Sequence, residues 1–394
     1  LYCTHLSAQV TLPNNLYFTH IGVEDGLCQN TVCCILQDHL GFIWLGTKDG
    51  LTRYDGYRFR VFKHDAADPM SIGNNFIRVL YEDADGLIWI GTNVGVYIYN
   101  PETENFRKFD MATERGDVIS REVSFIKCDS SGDLWIGVNW QGVFRYDRRD
   151  ESLELYEPVP GDTTSLSSVH VWDLCFDGDG NLWVGSQNGG LDRYDRETDR
   201  FVRHRLKGLS DVSRIVLDKQ NQLLLGTMKD GLFSFNPYMG TCQPLLLDSG
   251  HKDLFVRAIF VRNSREVVVG TENGIYIYDC VTRKTRHVNQ ELGNPYSLSC
   301  KAVYSIYCDK EGALWIGTYF GGVNYLPPSS SLIFDKFYPI GHSDRLSGKA
   351  VREFVRDENG IIWIGTEDQG LNRFDPVSGK FTHYNSRNSG LSCD

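Results

Sequence analysis

A phrase centred on tryptophan recurs along the whole chain. Its clearest copy runs from Asp309 to Thr318 and reads DKEGALWIGT. Five further copies keep the tryptophan, and they lie at 38–47, 83–92, 129–138, 177–186 and 357–366. Two degenerate copies, at 218–227 and 262–271, carry Leu224 and Val268 in its place. Successive copies are 41 to 48 residues apart, and a period of this size indicates a repeat architecture.

Each repeat predicts four short strands. The Asp-x-x-Gly that opens the phrase is typical of a tight turn, because Asp bonds its own backbone and Gly tolerates positive φ. Trp-Ile-Gly-Thr follows as a short β-rich run, and an alternating run such as Leu191 to Asp195 comes next. An apolar run precedes the phrase and an aromatic run ends the period. This is the size and content of a β-propeller blade, with the tryptophan packed between neighbouring blades.

The predicted fold class is therefore all-β, a propeller of four-stranded antiparallel blades. The run Leu16 to His20 resembles an outer strand but has no blade of its own, so we expect it to complete the sheet around Trp315 and close a ring. The run Leu326 to Ser331 has linker composition. These features predict a seven-bladed propeller at 16–326, a linker at 327–331 and the first blade of a second, truncated propeller at 332–394. A single eight-bladed propeller is the alternative, since there are eight copies.

Composition excludes several classes of function. The net charge of −11 argues against nucleic-acid binding. Eleven cysteines without zinc spacing predict no metal site, and no apolar run is long enough to span a membrane. Neither a phosphate-binding loop nor a nucleophile elbow occurs, so we predict no cofactor and no catalytic residue. Residues 1–15, with Leu6-Ser7-Ala8-Gln9, resemble the remnant of a secretory signal, and we expect an exported fragment truncated at both ends.

One position of the repeat predicts a ligand-binding surface. The residue five places before each turn Asp, or its equivalent, follows a Val or Ile that should face the packed sheets, so it should itself face the channel mouth. These residues are Cys33, Arg78, Ser124, Trp172, Ser213, Arg257, Tyr304 and Arg352. Arginine forks bind carboxylate or sulfate, and flat aromatic rings stack on sugars. With aromatic loop residues of the same face, the candidate ligand-binding residues are Arg78, Trp140, Trp172, Arg257, Tyr304, Tyr319 and Phe320.

The predicted ligand of this surface is a glycan, and the two arginines extend the hypothesis to an acidic glycan. The alternative is that each side chain only packs within its blade or loop, because scattered surface aromatics are normal. Calorimetry with an anionic oligosaccharide would separate the two interpretations.

The consensus Asp-x-x-Gly-x-Leu/Ile-Trp-Ile-Gly-Thr-x-x-Gly-Leu-x-Arg-Tyr-Asp resembles the propeller repeats of the periplasmic sensor half of Bacteroidetes hybrid two-component systems. Gly41 to Gly56, preceded by Gly26-Leu27, is similar to the usual opening of that family, and Gly317 to Tyr325 is also typical of it. The resemblance implies a non-catalytic periplasmic domain with two seven-bladed propellers and a β-sandwich. A membrane helix, a histidine kinase, a receiver and an AraC-type DNA-binding domain usually follow in the parent protein.

The same resemblance implies detection of oligosaccharides and control of polysaccharide utilisation. We expect the other domains of the parent sensor as partners and a homodimer of the full-length protein, with no nucleic acid bound by this region. Two alternatives stay open: a propeller lyase or hydrolase, since streptogramin-type lyases have similar repeats, and a scaffold propeller that binds proteins.

Overall fold

The computed structural model describes residues 11–206, 209, 211–246, 254–328, 337 and 345–394. Within these ranges the chain forms 32 strands and one short 3-10 helix, Val23–Asp25. The strands make eight antiparallel sheets of four strands each. The predicted all-β class with four-stranded blades is therefore confirmed. No helix in the described ranges is both long and apolar enough to span a bilayer.

Seven of the sheets lie in one compact unit. Sheet 7 contains β1, Thr19–Ile21, together with β26–β28 below. Sheet 1 contains β2–β5: Val32–Gln37, Ile43–Thr47, Gly50–Tyr54 and Phe59–Phe62. Sheet 2 contains β6–β9: Ile77–Glu82, Ile88–Thr92, Gly95–Asn100 and Asn105–Phe109. Sheet 3 contains β10–β13: Val123–Cys128, Leu134–Val138, Gly142–Asp147 and Ser152–Tyr156.

The other three sheets of this unit follow in chain order, with the rest of sheet 7. Sheet 4 contains β14–β17: Val171–Phe176, Leu182–Ser186, Gly190–Asp195 and Arg200–His204. Sheet 5 contains β18–β21: Arg214–Leu217, Leu223–Gly226, Leu232–Asn236 and Thr241–Leu246. Sheet 6 contains β22–β25: Val256–Val261, Glu266–Thr271, Gly274–Asp279 and Lys284–Val288. Strands β26–β28 are Val303–Cys308, Leu314–Thr318 and Val323–Leu326.

The turn aspartate explains why each tryptophan phrase folds in the same way. In sheet 2 one oxygen of Asp83 accepts the backbone N–H of Leu87 at 3.0 Å, which closes the turn. Its other oxygen accepts Nε1–H of the buried Trp89 at 2.8 Å. The same indole contact occurs at Asp38, Asp129, Asp177, Asp309 and Asp357. The phrase thus supplies, within seven residues, both a turn and the partner that a buried indole N–H requires.

The phrase tryptophans of the first unit pack between neighbouring sheets, as predicted. Trp44 of sheet 1 lies in one buried cluster with Ile77, Ile90 and Tyr99 of sheet 2. Trp135 and Trp183 join their own sheets to the next one in the same way. Leu224, in a degenerate copy, occupies the equivalent place in the cluster between sheets 5 and 6. Losing the indole therefore keeps an apolar contact but loses the bond to the aspartate.

A strand from the start of the chain completes sheet 7. β1 pairs with β28, with Thr19 opposite Tyr325 and His20 opposite Asn324, and Phe18 beside it is fully buried. The predicted pairing with the sheet around Trp315 is confirmed, although the strand begins at Thr19 and not at Leu16. The first strands of sheets 1 to 7 contact one another in order, and β26 contacts β2.

Sheet 8 lies in the second compact unit. It contains β29–β32: Val351–Arg356, Ile362–Thr366, Leu371–Asp375 and Lys380–Tyr384. Parts of the predicted leader (1–10), linker (329–331) and strand (332–336 and 338) lie outside the described residues. A seven-bladed ring at 16–326, and the borders at 327–331 and 332–394, stay predictions.

Candidate functional site

A cavity of about 220 Å³ lies where the first strands of the first unit begin. Four of the seven predicted ligand residues line it: Arg78, Trp172, Arg257 and Tyr304. Cys33 and Ser124, which stand at the same repeat position, line it as well. The residues that complete its wall are Lys48, Phe76, Glu122, Val123 and Arg214. Six of the eight residues at the repeat position chosen from the sequence therefore line one cavity, and Ser213 and Arg352 do not.

A β-bulge gives this position its direction. In β6 the register with β7 shifts between Ile77 and Val79, so that Arg78 has no partner in the ladder. The same shift occurs at Cys33, Ser124, Trp172, Arg257 and Tyr304. A bulge leaves the extra residue unpaired and redirects its side chain. Ile77, just before Arg78, is completely buried, as the sequence pattern predicted.

Arg78 and Arg257 are each held by a carboxylate and an aromatic ring. Nη2 of Arg78 lies 2.9 Å from Oε2 of Glu122, and its guanidinium lies over the ring of Phe76. Nη2 of Arg257 lies 2.6 Å from Oε1 of Glu272. These ion pairs neutralise the charges of both arginines, and they fix the orientation of the guanidinium planes.

Tyr304 connects the cavity to an aromatic surface. Its ring lies 5.0 Å from that of Tyr319, which lies 4.3 Å from that of Phe320. Nζ of Lys48 donates a hydrogen bond to the Tyr319 hydroxyl at 2.8 Å and lies over the same ring. Phe320 is 72% exposed. Tyr319 and Phe320 thus lie beside the cavity, and neither lines it.

Trp140, the remaining predicted residue, also lies outside the cavity wall. Its ring meets that of His170 edge-on at 4.1 Å and is 64% exposed. The backbone of Trp140 has a φ of 67°, in the left-handed region that non-glycine residues rarely adopt. The structure therefore brings together four of the seven candidates and places the other three outside the wall.

Arg214 is a cavity residue that the sequence pattern missed. The pattern selected Ser213, but Ser213 is buried and its hydroxyl donates to the backbone oxygen of Val256 at 2.8 Å. Sheet 5 lacks the bulge, and Arg214 pairs directly with Gly226. Nη1 of Arg214 donates to the Ser213 oxygen at 2.7 Å. Burial lowers the pKa of Arg214, and nearby Asp173 partly offsets this effect.

Cations outnumber carboxylates around the cavity, although the chain as a whole is acidic. Glu122 pairs with Arg78, Glu272 with Arg257, and Asp173 with Lys127. Lys48 and Arg214 have no carboxylate partner in the described part of the chain. This arrangement attracts an anion, because a cation in a recess is only weakly screened by solvent.

A second signal in the sequence could have found the loop residues of the site. The residue fifteen positions after the bulge residue contacts it in the same sheet. Examples are Arg78 with Asn93 at 2.7 Å, and Arg257 with Glu272 at 2.7 Å. Fifteen residues separate the bulge residue, near the start of the first strand, from the residue that follows the second strand. The same offset therefore also selects Lys48, counted from Cys33, and Tyr319, counted from Tyr304. No such offset selects Arg214.

The cavity offers little for covalent catalysis. Burial raises the pKa of the Cys33 thiol to about 11, against the opposing effect of Arg78, Lys48 and Arg257. A thiol with such a pKa is protonated at neutral pH and is a poor nucleophile. Within the described ranges, no group of three His, Cys, Asp or Glu residues could hold a metal ion.

Comparison with known protein families identifies the type of repeat. The model of the two-component regulator propeller family matches residues 26–49, 71–94, 165–188, 297–320 and 345–368. The chain carries two-component regulator propeller repeats. The resemblance noted in the tryptophan phrases is therefore confirmed, and the matched segments contain five of the six phrases that keep the tryptophan.

Two solved structures of extracellular domains resemble this chain over most of its length. The extracellular domain of a hybrid two-component system from B. thetaiotaomicron is 27% identical, with a TM-score of 0.79, over 94% of this chain and 49% of that one. A second such domain from the same organism is 20% identical, with a TM-score of 0.68, over 94% and 53%. The first supports an extracellular sensory domain and is consistent with a periplasmic location; the second shows the fold alone.

A curated relative matches a shorter segment of this chain. Histidine kinase P4 of Formosa agariphila is 39% identical over 59 residues, which are 15% of this chain and 4% of the relative. The chain thus spans about half of the solved structures above and a small part of this kinase. A streptogramin B lyase also shares the fold, at 14% identity and a TM-score of 0.58 over 79% of this chain and 97% of the lyase.

Proposed function

We propose that this chain is the extracytoplasmic sensory part of a hybrid two-component system, and that its cavity binds one end of an oligosaccharide. The supporting observation is the convergence of Arg78, Arg257, Trp172 and Tyr304 on one recess in a regulator-propeller chain. Aromatic rings provide the stacking surface that sugars require, and the guanidinium groups provide fixed hydrogen-bond donors.

The same proposal includes signal transfer to the parent protein. Binding would be reported to a histidine kinase that controls polysaccharide utilisation, and the full-length sensor would act as a homodimer. The support is the similarity to extracellular domains of hybrid two-component systems and to a segment of a histidine kinase. Ligand-dependent autophosphorylation of the full-length protein would test this part.

Calorimetry on the chain described here tests the binding step. The double variant Arg78→Ala and Arg257→Ala should weaken binding of an acidic oligosaccharide at least ten-fold, since hydrogen bonds to charged groups contribute about 1.5–3 kcal/mol each. Arg60→Ala with Arg149→Ala is the matched control, because both arginines are exposed on the outer strands and turns. Unchanged affinity in the cavity variant would refute the assignment of these residues.

A lyase is the second candidate, because a streptogramin B lyase has the same fold. The protonated Cys33 and the paired Glu122 do not favour it. Release of a cleaved product during incubation with oligosaccharides or cyclic depsipeptides would decide for the lyase.

A further inference from the structure

The cavity wall divides into a neutralised half and a half with unused hydrogen-bond donors. Arg78 of sheet 2 pairs with Glu122, which directly precedes sheet 3, and Arg257 of sheet 6 pairs with Glu272 of the same sheet's second turn. Sheets 3, 4 and 5 contribute Ser124, Trp172 and Arg214. The first strands of these three sheets contact one another in order. The chemistry of these three residues differs from that of the paired arginines.

Ser124 and Trp172 each bury a polar atom that has no hydrogen-bond partner in the described residues: Oγ of Ser124 and Nε1 of Trp172. Buried polar groups in proteins are nearly always bonded, because leaving one unbonded costs about 1–3 kcal/mol. By contrast, Nε1 of Trp44 and of Trp183 each donate to a carboxylate of their own repeat. Trp172 lies outside that repeat phrase, so its indole lacks such a partner.

Arg214 adds a positive charge to the same half. The structure describes only one hydrogen bond from its guanidinium, the one from Nη1 to the backbone of Ser213. The carboxylate that acts on it, Asp173, is already bonded by Nζ of Lys127 at 2.8 Å and by the backbone N–H of Ile215 at 3.0 Å. Arg214 is half-buried. A desolvated cation without its own counter-ion is costly, and a bound anion would remove that cost.

We propose that Arg214, Trp172 and Ser124 form a subsite for the anionic substituent of a sugar, either the carboxylate of a uronic acid or a sulfate ester. The subsite deepens the proposed function and rests on it. The three side chains come from three sheets and line one cavity. An oxyanion has several acceptor oxygens and can bond all three donors, whereas a neutral hydroxyl would satisfy one or two of them. Lys48, which is also without a carboxylate partner, adds to the attraction at longer range.

The size of the cavity limits what enters it. About 220 Å³ is smaller than the roughly 300–1,000 Å³ of pockets that enclose drug-sized ligands. The recess therefore takes one terminal sugar with its charged group, and the rest of a longer chain would continue over the surface. Tyr319 and Phe320, beside Tyr304, provide the nearest exposed aromatic surface for the next sugar.

Indole N–H signals in a ¹⁵N-tryptophan-labelled protein test this subsite directly. The Trp172 signal is assigned by its loss in Trp172→Phe. Titration with sodium glucuronate and with sodium sulfate, at constant ionic strength set by chloride, should move that signal downfield along a saturating curve for at least one anion. Methyl glucoside, which is neutral, should leave it in place. The six indoles bonded to turn aspartates should not move.

Arg214→Gln should weaken the apparent affinity for the active anion at least ten-fold, and Ser124→Ala two- to five-fold. Arg60→Gln, outside the cavity, should change neither. Ser124→Ala removes only an unbonded hydroxyl, so it remains informative if an arginine variant folds poorly. The proposal is overturned if neither anion moves the Trp172 signal, if methyl glucoside moves it equally, or if Arg214→Gln leaves the affinity unchanged. Binding of neutral oligosaccharides alone would overturn the anionic subsite and leave the proposed sensory function standing.

Discussion

Asp192 tests how a buried carboxyl group affects the stability of a blade. Its side chain is completely buried on the third strand of sheet 4. One oxygen accepts the backbone N–H of Ser167 at 2.9 Å and its hydroxyl at 2.6 Å. Sheet 7 places Asn324 at the equivalent point, where Oδ1 accepts the backbone N–H of Ser299 and Nδ2 donates to the Ser299 hydroxyl. The change Asp192→Asn therefore reproduces an arrangement that the chain already contains.

Burial raises the pKa of Asp192 to about 6 from an ordinary 3.8, against the opposing effect of its bonds to Ser167. Between these two values the folded protein holds a proton that the unfolded chain has released. The free energy of unfolding therefore falls as pH rises from about 4 to about 6, by roughly 3 kcal/mol from this group. Asp192→Asn abolishes the ionisation, so its stability relative to the unmodified protein should increase by that amount over the same range.

Urea denaturation followed by tryptophan fluorescence between pH 4 and 8 measures this difference. Asp195→Asn is the control with the opposite sign, because bonds from Thr198 and Glu197 lower the pKa of that exposed carboxylate. Asp195 stabilises the fold above its unfolded pKa, and this contribution is lost as pH falls. Parallel stability curves for Asp192→Asn and the unmodified protein would refute the burial argument.

Two further substitutions test the repeat. Asp83→Asn should cost about 2–4 kcal/mol, because Oδ2 of Asp83 accepts both the Trp89 indole N–H and Nη2 of Arg148. Asp218→Asn in a degenerate copy, where the structure describes only backbone donors to Oδ1, should change the unfolding free energy by less than about 0.5 kcal/mol. Equal effects would contradict the role of the indole bond. Phe18→Ala beside β1 should cost about 3–5 kcal/mol in the same denaturation assay; a neutral result would show that closure by β1 does not depend on this side chain.

Much of the fold is readable from the sequence because its determinants are local. The turn, the start of the second strand and the partner of the indole all lie between Asp83 and Trp89, so one repeat is enough to recognise them. The bulge position was also identifiable, since a Val or Ile always precedes it. The exact start of β1 was not identifiable from the sequence. Its pairing with β28, which is distant in the sequence, determines where the strand begins.

The candidate site was readable only in part. Arg78, Trp172, Arg257 and Tyr304 share one repeat position, and this made them visible in the sequence. Arg214 breaks the pattern because the first strand of sheet 5 pairs with the second without a bulge. Trp140, Tyr319 and Phe320 were chosen as loop aromatics, but their position outside the wall depends on loop conformation.

The sequence alone determined the repeating unit: an aspartate turn, a tryptophan strand and a variable residue at the start of each blade. Only the tertiary structure decided which variable residues meet and which charges stay unpaired. Ser124, Trp172 and Arg214 are separated by 42 to 90 residues along the chain, and the contacts between the first strands of sheets 3, 4 and 5 bring them side by side. The physical reason is that the hydrogen bonds of one repeat form between residues close together in the sequence. The charge balance of the cavity, by contrast, depends on side chains from several blades that are far apart in the sequence.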